Sequence, residues 1–140
     1  MARIGRRIAF DYGDVRIGVA VCDTDGILAT PLTTLSAKDP ALLSNIHEII
    51  EEYEPLKIYL GLPVHLSGKE SSSTEKARAF GQMLTSSFDI PLEYIDERLS
   101  TISAAKGLAS AGIDSKSAKS LIDAAAAVQI LEQGLANERK

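Results

Sequence analysis

Three acidic side chains stand in apolar surroundings in this chain, and Asp11 is the first of them. It ends an apolar run just before Gly13, and a second β-prone run begins at Ile17, which together predict a β-hairpin. A carboxylate in line with apolar neighbours is costly to bury unless a cation meets it. One interpretation is a turn aspartate that caps the hairpin. The other is a metal or phosphate site at a strand end, which requires further carboxylates nearby.

The second acidic position, Asp96-Glu97-Arg98, follows a strand that the sequence predicts over 91–95. Open α/β sheets place their functional sites at such carboxyl edges. Because side chains alternate along an extended chain, we expect Asp96 and Glu97 to point in opposite directions. One of them is then directed inward and the other pairs or caps locally. The alternative is a solvated, charged loop.

The third acidic position lies in the segment 121–131, where only Asp123 and Gln129 are polar. This composition predicts a helix that is buried nearly all round. Its four consecutive alanines would let it lie close against a sheet, so that Asp123 reaches the strand ends. A buried carboxylate without a partner is neutralised or binds a positive group. The alternative is an exposed residue near a helix N-terminus, favoured by the helix dipole.

Asp11, Glu97 and Asp123 therefore form a candidate catalytic and metal-binding cluster made only of carboxylates. Oxygen ligands without histidine or cysteine suit Mg²⁺ or Mn²⁺ rather than zinc. Two such ions about 4 Å apart can activate water and stabilise the leaving oxygen in phosphodiester hydrolysis. We expect His47 to be a surface or boundary residue and Cys22 to be a small buried hydrophobe. His65 falls in a loop, where a substrate contact is one option.

The elements that must position these residues are strands first and then alternating helices and strands. The hairpin and a third strand over 27–35 predict an antiparallel three-strand meander. An amphipathic helix follows from a start signal at 36–40 to about Glu54, with Leu43 among its inward residues. A strand over 58–60 comes next, and a loop over 64–74 follows it. We expect this loop to be mobile in the free protein and ordered by substrate. The remaining elements are a helix over 74–87, the strand over 91–95, a third helix over 100–111 and a last helix from Ser115 or Ser117 to about Asn137. The sequence thus predicts an α/β fold, a five-stranded mixed sheet with helices on both faces.

Size and charge limit the classes of function. With 140 residues, the chain is expected to form a single domain, 1–140. Its net charge of −4 supplies no global basic field for nucleic acid, so such binding needs a local patch or bridging metal ions. The single cysteine rules out an intrachain disulfide and fits a reducing compartment. No apolar run approaches the ~20 residues of a membrane span, so we expect a cytoplasmic protein.

Four motifs in order carry a resemblance to a known family. They are Asp11-Tyr-Gly with Arg16-Ile-Gly-Val-Ala-Val, Gly61-Leu-Pro before a Ser/Gly loop and Glu75-Lys-Ala-Arg-Ala-Phe, Asp96-Glu-Arg-Leu-Ser-Thr, and Asp123 followed by Ala-Ala. Over almost its whole length the chain resembles the YqgF (RuvX) family, bacterial proteins of the RNase H-like superfamily related to the Holliday-junction resolvase RuvC. The resemblance implies an RNase H-like fold, a metal-dependent nuclease site at Asp11, Glu97 and Asp123, and a role in maturing the 5′ end of 16S ribosomal RNA.

The expected partner is accordingly structured RNA, namely pre-16S rRNA, free or within the precursor of the 30S subunit. Guanidinium and ammonium groups suit phosphate contacts, and the alternative for each is a solvated surface charge. The candidate nucleic-acid contacts are Arg16, Lys69, Lys76, Arg78 and Arg98. One departure concerns the segment before the last helix, where the family often carries several basic residues. Residues 115–120 offer only Lys116 and Lys119, which weakens the prediction of a nucleic-acid groove there.

Other functions stay open at this point. A Holliday-junction-type resolvase acting on branched DNA would use the same chemistry, and no motif separates it from an RNA nuclease. A nucleotide-phosphate binder is a different class, because the Asp-x-Gly hairpin also resembles the phosphate loop of actin-like ATPases. Those enzymes enclose ATP between two such domains, whereas 140 residues supply one. A non-catalytic ribosome-assembly factor would keep the acids for structure alone. A homodimer stays open as well.

Overall fold

The structure is a computed structural model that describes residues 4–63, 71–97 and 116–139. Its strands are β1 (Arg7–Tyr12), β2 (Arg16–Cys22), β3 (Ala29–Ser36), β4 (Lys57–Leu62) and β5 (Leu92–Asp96). Its helices are α1 (Leu42–Tyr53), α2 (Ser72–Ser87) and α3 (Lys116–Glu138). The helix predicted over 100–111 lies outside the described residues, as do His65, Lys69, Arg98 and most of the loop predicted over 64–74.

All five strands form one sheet in the order β3-β2-β1-β4-β5. β1 pairs with β2 and β2 with β3 in antiparallel fashion, whereas β4 is parallel to both β1 and β5. This confirms the predicted mixed sheet. β3 begins two residues later than predicted, because the Asp23 carboxylate accepts hydrogen bonds from the backbone N–H groups of Ile27 and Leu28 and extends the turn.

One face of the sheet carries the large apolar side chains and is covered by α1 and α2. Phe10 of β1 meets Phe80 of α2 edge to face, with ring centroids 5.7 Å apart. α1 buries Ile46 and Ile50, but Leu43 is exposed, so its predicted inward position was wrong. The first turn of α1 begins only at Leu42, after the Asp39 carboxylate accepts a hydrogen bond from the backbone N–H of Ala41.

The other face carries small residues and is covered by α3. Ala9 and Ala20 of the sheet pack against Ala126, Ala127 and Ile130 of the helix. Cys22 is buried in the same cluster, as predicted, and burial raises the pKa of its thiol. Of the described residues in the segment 121–131, which was predicted to be buried nearly all round, all are buried or half-buried except Ala125. Ala124, Ala126 and Ala127 turn toward the sheet, and the opposite side of α3 faces solvent at Ala125 and Glu132.

The start of α2 also differs from the prediction. Ser71 caps the helix, its side chain accepting from the backbone N–H of Thr74 while the Thr74 hydroxyl accepts from the backbone N–H of Ser71. The Thr74 hydroxyl also donates to the carbonyl of Pro63. Thr74 is therefore a buried residue of the first helical turn and not the end of a loop.

Candidate active site at the carboxyl edge of the sheet

Asp11 is the next-to-last residue of β1 and lies directly opposite Gly18 of β2. Only 4% of its surface is exposed. Because Ala9 faces α3 and side chains alternate along a strand, Asp11 faces the same side. The structure therefore places this carboxylate within the protein, beneath the helix face, rather than in the hairpin turn.

Glu97 follows β5 directly, and 7% of its surface is exposed. Its carboxyl carbon lies 3.5 Å from the position that a Cβ atom would occupy at Gly61 of β4. The register that pairs Phe10 with Leu60 continues to place Asp11 beside Gly61, and neighbouring strands are about 4.8 Å apart. A Cβ atom at Gly61 would overlap the side chain of Ile130 of α3, so the absent side chain lets this part of α3 pack on β4 beside the Glu97 carboxyl.

Of the two adjacent acids, it is Glu97 that is directed inward. Asp96 is the last residue of β5 and is only partly buried, in register with Leu62 of β4. This agrees with the predicted opposite directions of the two side chains.

Asp123 is placed by close packing between α3 and β2. A Cβ atom at Gly18 would overlap the backbone carbonyl of Asp123, so only glycine lets the helix approach the strand this closely. Gly18 is in turn the cross-strand partner of Asp11. α3 thereby brings Asp123 above the strand next to Asp11. Its side chain is 23% exposed, between the buried and the exposed alternatives that the sequence left open.

The Asp123 carboxylate is paired with Arg16, the first residue of β2. The Arg16 Nε donates to the Asp123 Oδ2 over 2.7 Å. Sequence reasoning assigned Arg16 to phosphate and missed this pair. One signal was available, because Arg16 and Gly18 lie on the same face of β2 by alternation, and a helix that packs on Gly18 passes near Arg16.

Two other predicted basic residues also have partners. The Lys76 ammonium lies 3.3 Å from the Asp14 carboxylate in the turn between β1 and β2. This contact places the start of α2 at the same end of the sheet as Asp11. The Arg78 guanidinium stacks over the ring of Tyr94 at 5.4 Å from its centroid. Both side chains are exposed, so both could meet a polyanion without burial cost.

Comparison with known proteins assigns the family. The model of the RuvX family, described as a Holliday junction resolvase, matches residues 5–137. The chain belongs to this family. A protein of Streptomyces avermitilis, provisionally named pre-16S rRNA nuclease, is 49% identical over 139 residues, which cover 98% of this chain and 89% of the relative. A Cutibacterium acnes protein of the same provisional name is 42% identical, and the match covers 96% of this chain and 84% of that protein.

Solved structures agree on the fold. RuvC of Thermus thermophilus, in complex with a Holliday junction substrate, superposes with a TM-score of 0.56 at 14% identity, over 96% of each chain. A second Thermus thermophilus RuvC structure gives a TM-score of 0.54 at 13% identity. This RuvX family member therefore has the RNase H-like fold that the resemblance implied.

The acidic side chains of this RuvX protein offer the oxygen donor atoms that a hard divalent ion binds. Asp11 and Glu97 are buried carboxylates with the oxygen ligands that Mg²⁺ and Mn²⁺ prefer. Their geometry is incomplete, since among residues 4–63, 71–97 and 116–139 no three His, Cys, Asp or Glu side chains gather closely enough to hold a metal ion. Asp123 is the third candidate, and its carboxylate is engaged by Arg16. Within the same described ranges, no helix has the length and apolar character of a membrane span.

Proposed function

We propose that this RuvX protein is a divalent-metal-dependent endonuclease that hydrolyses phosphodiester bonds of pre-16S rRNA. The observation that carries the proposal is the burial of Asp11 and Glu97 at the carboxyl edge of the sheet, with Asp123 held over the neighbouring strand by the contact at Gly18. Carboxylate oxygens are the ligands that Mg²⁺ and Mn²⁺ prefer. Family membership supports the reaction class, and the provisional names of the relatives support the substrate.

In this proposal Asp11, Glu97 and Asp123 hold one or two Mg²⁺ or Mn²⁺ ions. The ions, when bound, activate water and stabilise charge on the phosphate. The protein supplies the fixed positions: β1 fixes Asp11, the end of β5 fixes Glu97, and the contact of α3 with Gly18 fixes the backbone of Asp123. Rigid strands and a packed helix hold such a group of ligands more precisely than loops do.

The substrate is expected to meet the carboxyl edge of the sheet, where Arg16 and Lys76 lie near the acids. Arg16 is 37% exposed and Lys76 is 54% exposed at their side chains, so phosphate can compete for both. Arg78 on the first turns of α2 extends this basic edge, and Lys69 and Arg98 are further candidates outside the described residues. With a net charge of −4, the protein depends on bound divalent ions for much of its affinity. A ribosomal RNA precursor as substrate implies action in the cytoplasm.

The decisive experiment compares cleavage of a pre-16S rRNA fragment that carries its 5′ extension with cleavage of a four-way DNA junction, each with Mg²⁺, Mn²⁺ or chelator. We expect metal-dependent cleavage of the RNA at one position, and none by the Asp123→Asn protein. Asp89→Asn, which makes the same change at an exposed loop position, is the matched control and should cleave normally.

Preferential cleavage of the junction would favour resolution of branched DNA, the activity that the family description names. Equal cleavage by wild-type and Asp123→Asn proteins would refute the proposed site. Absence of any cleavage, together with normal metal binding, would favour a non-catalytic role in ribosome assembly.

A further inference from the structure

The ion pair between Arg16 and Asp123 occupies the carboxylate that the proposed metal site needs. Asp11 and Glu97 are buried at the same edge of the sheet, whereas the Asp123 carboxylate is bound by a guanidinium. The three acids do not form a group that could hold a metal ion in this arrangement. The pair therefore engages the carboxylate of the third acid.

The backbones on both sides of this pair are fixed, so only the side chains can rearrange. Arg16 pairs in register with Ser36 of β3, and the N–H of Ala37 donates to the carbonyl of Val15 beside it. Asp123 is held by the contact of its carbonyl with Gly18. Rotation of the two side chains is then the low-cost way to change the partner of the Asp123 carboxylate.

The exposure of the pair allows such a change. The Arg16 side chain is 37% exposed and that of Asp123 is 23% exposed. A guanidinium released from this pair remains in contact with water and loses little solvation, unlike a buried one.

We propose that Arg16 and the divalent metal ion compete for the Asp123 carboxylate, so that metal binding breaks the ion pair and frees the guanidinium to meet a substrate phosphate. Arg16 is then a positioning residue that holds the Asp123 carboxylate until a divalent ion displaces it. The proposal rests on the proposed function, since it assumes that Asp11, Glu97 and Asp123 bind the ion. It assigns to Arg16 a role before substrate binding that a simple phosphate contact does not have.

Calorimetric titration with Mn²⁺, without nucleic acid, tests the competition directly. Arg16→Gln should bind Mn²⁺ about three- to tenfold more tightly than wild type, because the ion no longer displaces a partner and no longer meets a nearby positive charge. Arg16→Lys keeps the charge and should stay close to wild type. Lys38→Gln removes a charge from an exposed position in the loop before α1 and is the control for net charge.

A second measurement follows the guanidinium itself. The Arg16 Nε–H signal in a ¹H–¹⁵N spectrum, assigned by its loss in Arg16→Lys, should shift as Mg²⁺ is added. An unchanged Nε–H signal at saturating Mg²⁺, or Mn²⁺ affinity that is equal or lower in Arg16→Gln, would overturn the competition.

Asp11→Asn separates this inference from the proposed function. If that variant loses Mn²⁺ binding while Arg16→Gln shows no gain, the metal site stands and the competition fails. If Asp11→Asn binds Mn²⁺ as tightly as wild type, the proposed metal site is wrong and the competition falls with it.

Discussion

Two positions along α3, Asp123 in its first half and Glu138 at its end, are each tied to the sheet by an arginine. The two carboxylates are similarly exposed, 23% and 26%, but the two arginines differ in burial. At the site end, which comprises Asp11, Glu97 and Asp123, the Arg16 side chain is 37% exposed. At the anchor end, which comprises Arg7, Tyr59 and Glu138, the Arg7 side chain is 4% exposed. The bond lengths are nearly the same, 2.7 Å for Arg16–Asp123 and 2.8 Å for Arg7–Glu138.

At the anchor end, both charged side chains form several hydrogen bonds. Arg7 donates to Glu138 and to the carbonyl of Gly5, and the Tyr59 hydroxyl donates to the same glutamate. Burial alone would raise the pKa of Glu138, but the hydrogen bonds from Tyr59 and Arg7 outweigh it, and the pKa is lowered. Burial, and then the bond to Glu138, raises the pKa of Tyr59, so that the phenol stays protonated and remains a donor.

The site end is built the opposite way, by removing side chains. Gly18 lets α3 approach β2 closely, and Gly61 makes room for Ile130 beside the Glu97 carboxyl. The Arg16 guanidinium at this end is partly in water, whereas the Arg7 guanidinium at the other end is buried. The comparison teaches that burial of the arginine, and not bond length, decides which ion pair is exchangeable.

The same substitution, glutamate to glutamine, can be made at each end, and the two variants should differ most in their rate of RNA cleavage. Glu97→Gln should lower the rate of RNA cleavage by at least about a thousandfold, because it removes one of the metal ligands of the proposed site. Glu138→Gln makes the same change at the anchor end and should leave the rate within about threefold of wild type at 25 °C. Single-turnover cleavage assays measure both. Equal losses in the two variants would show that the ends are not functionally distinct.

Two glycine substitutions at the interface between α3 and the sheet should have the next largest effect, which is a loss of stability. Gly18→Ala places a methyl group against the backbone of Asp123, which cannot move aside, and should cost about 3 kcal/mol of unfolding free energy. Gly134→Ala would overlap the ring of Tyr59, which is fully buried and has little room to shift. Its cost should be about 2–3 kcal/mol, after an offset of about 1 kcal/mol from the better helix propensity of alanine.

Urea denaturation measures both values. Gly18→Ala should in addition lose Mn²⁺ affinity, whereas Gly134→Ala should keep it. A Gly134→Ala protein that lost metal binding would contradict the independence of the two ends.

The anchor end should also make stability depend on pH. The folded pKa of Glu138 is lower than its ordinary value of 4.5, so its contribution is complete above that pH and is lost as the pH falls through the folded pKa. Glu138→Gln should therefore cost about 2 kcal/mol at pH 7 and progressively less below about pH 4.5. Thermal denaturation across this range measures the difference, with Glu132→Gln, an exposed position on the same helix, as control. A difference that does not change with pH would contradict the ionic role of Glu138.

The smallest expected effect is that of Arg16→Gln on stability. A partly exposed pair contributes about 0–1 kcal/mol, so this variant should unfold within that range of wild type, and 0.5 M salt should remove any difference. A loss as large as about 3 kcal/mol would show that the site-end pair is structural, like its counterpart at Arg7.

The spacing of apolar residues and the positions of turn-forming residues in the sequence predicted most of the fold. Strands β1 and β2 followed from the apolar runs on either side of Gly13, and the last helix followed from the alanine-rich segment. The errors lie where a side-chain contact competes with local preference. The Asp23 carboxylate delays the start of β3, and the capping box of Ser71 and Thr74 begins α2 before the predicted position.

The sequence by itself determined which chemistry is available, because residue types fix it: three carboxylates in apolar surroundings, without a histidine or cysteine ligand set. Only the tertiary structure decided how these groups stand to one another. Parallel pairing of β4 with both β1 and β5 brings Asp11 and Glu97 to the same edge of the sheet, and close packing on Gly18 brings Asp123 to Arg16. These contacts join residues far apart in the chain, up to 107 positions for Arg16 and Asp123, and local propensity carries no information about such distances.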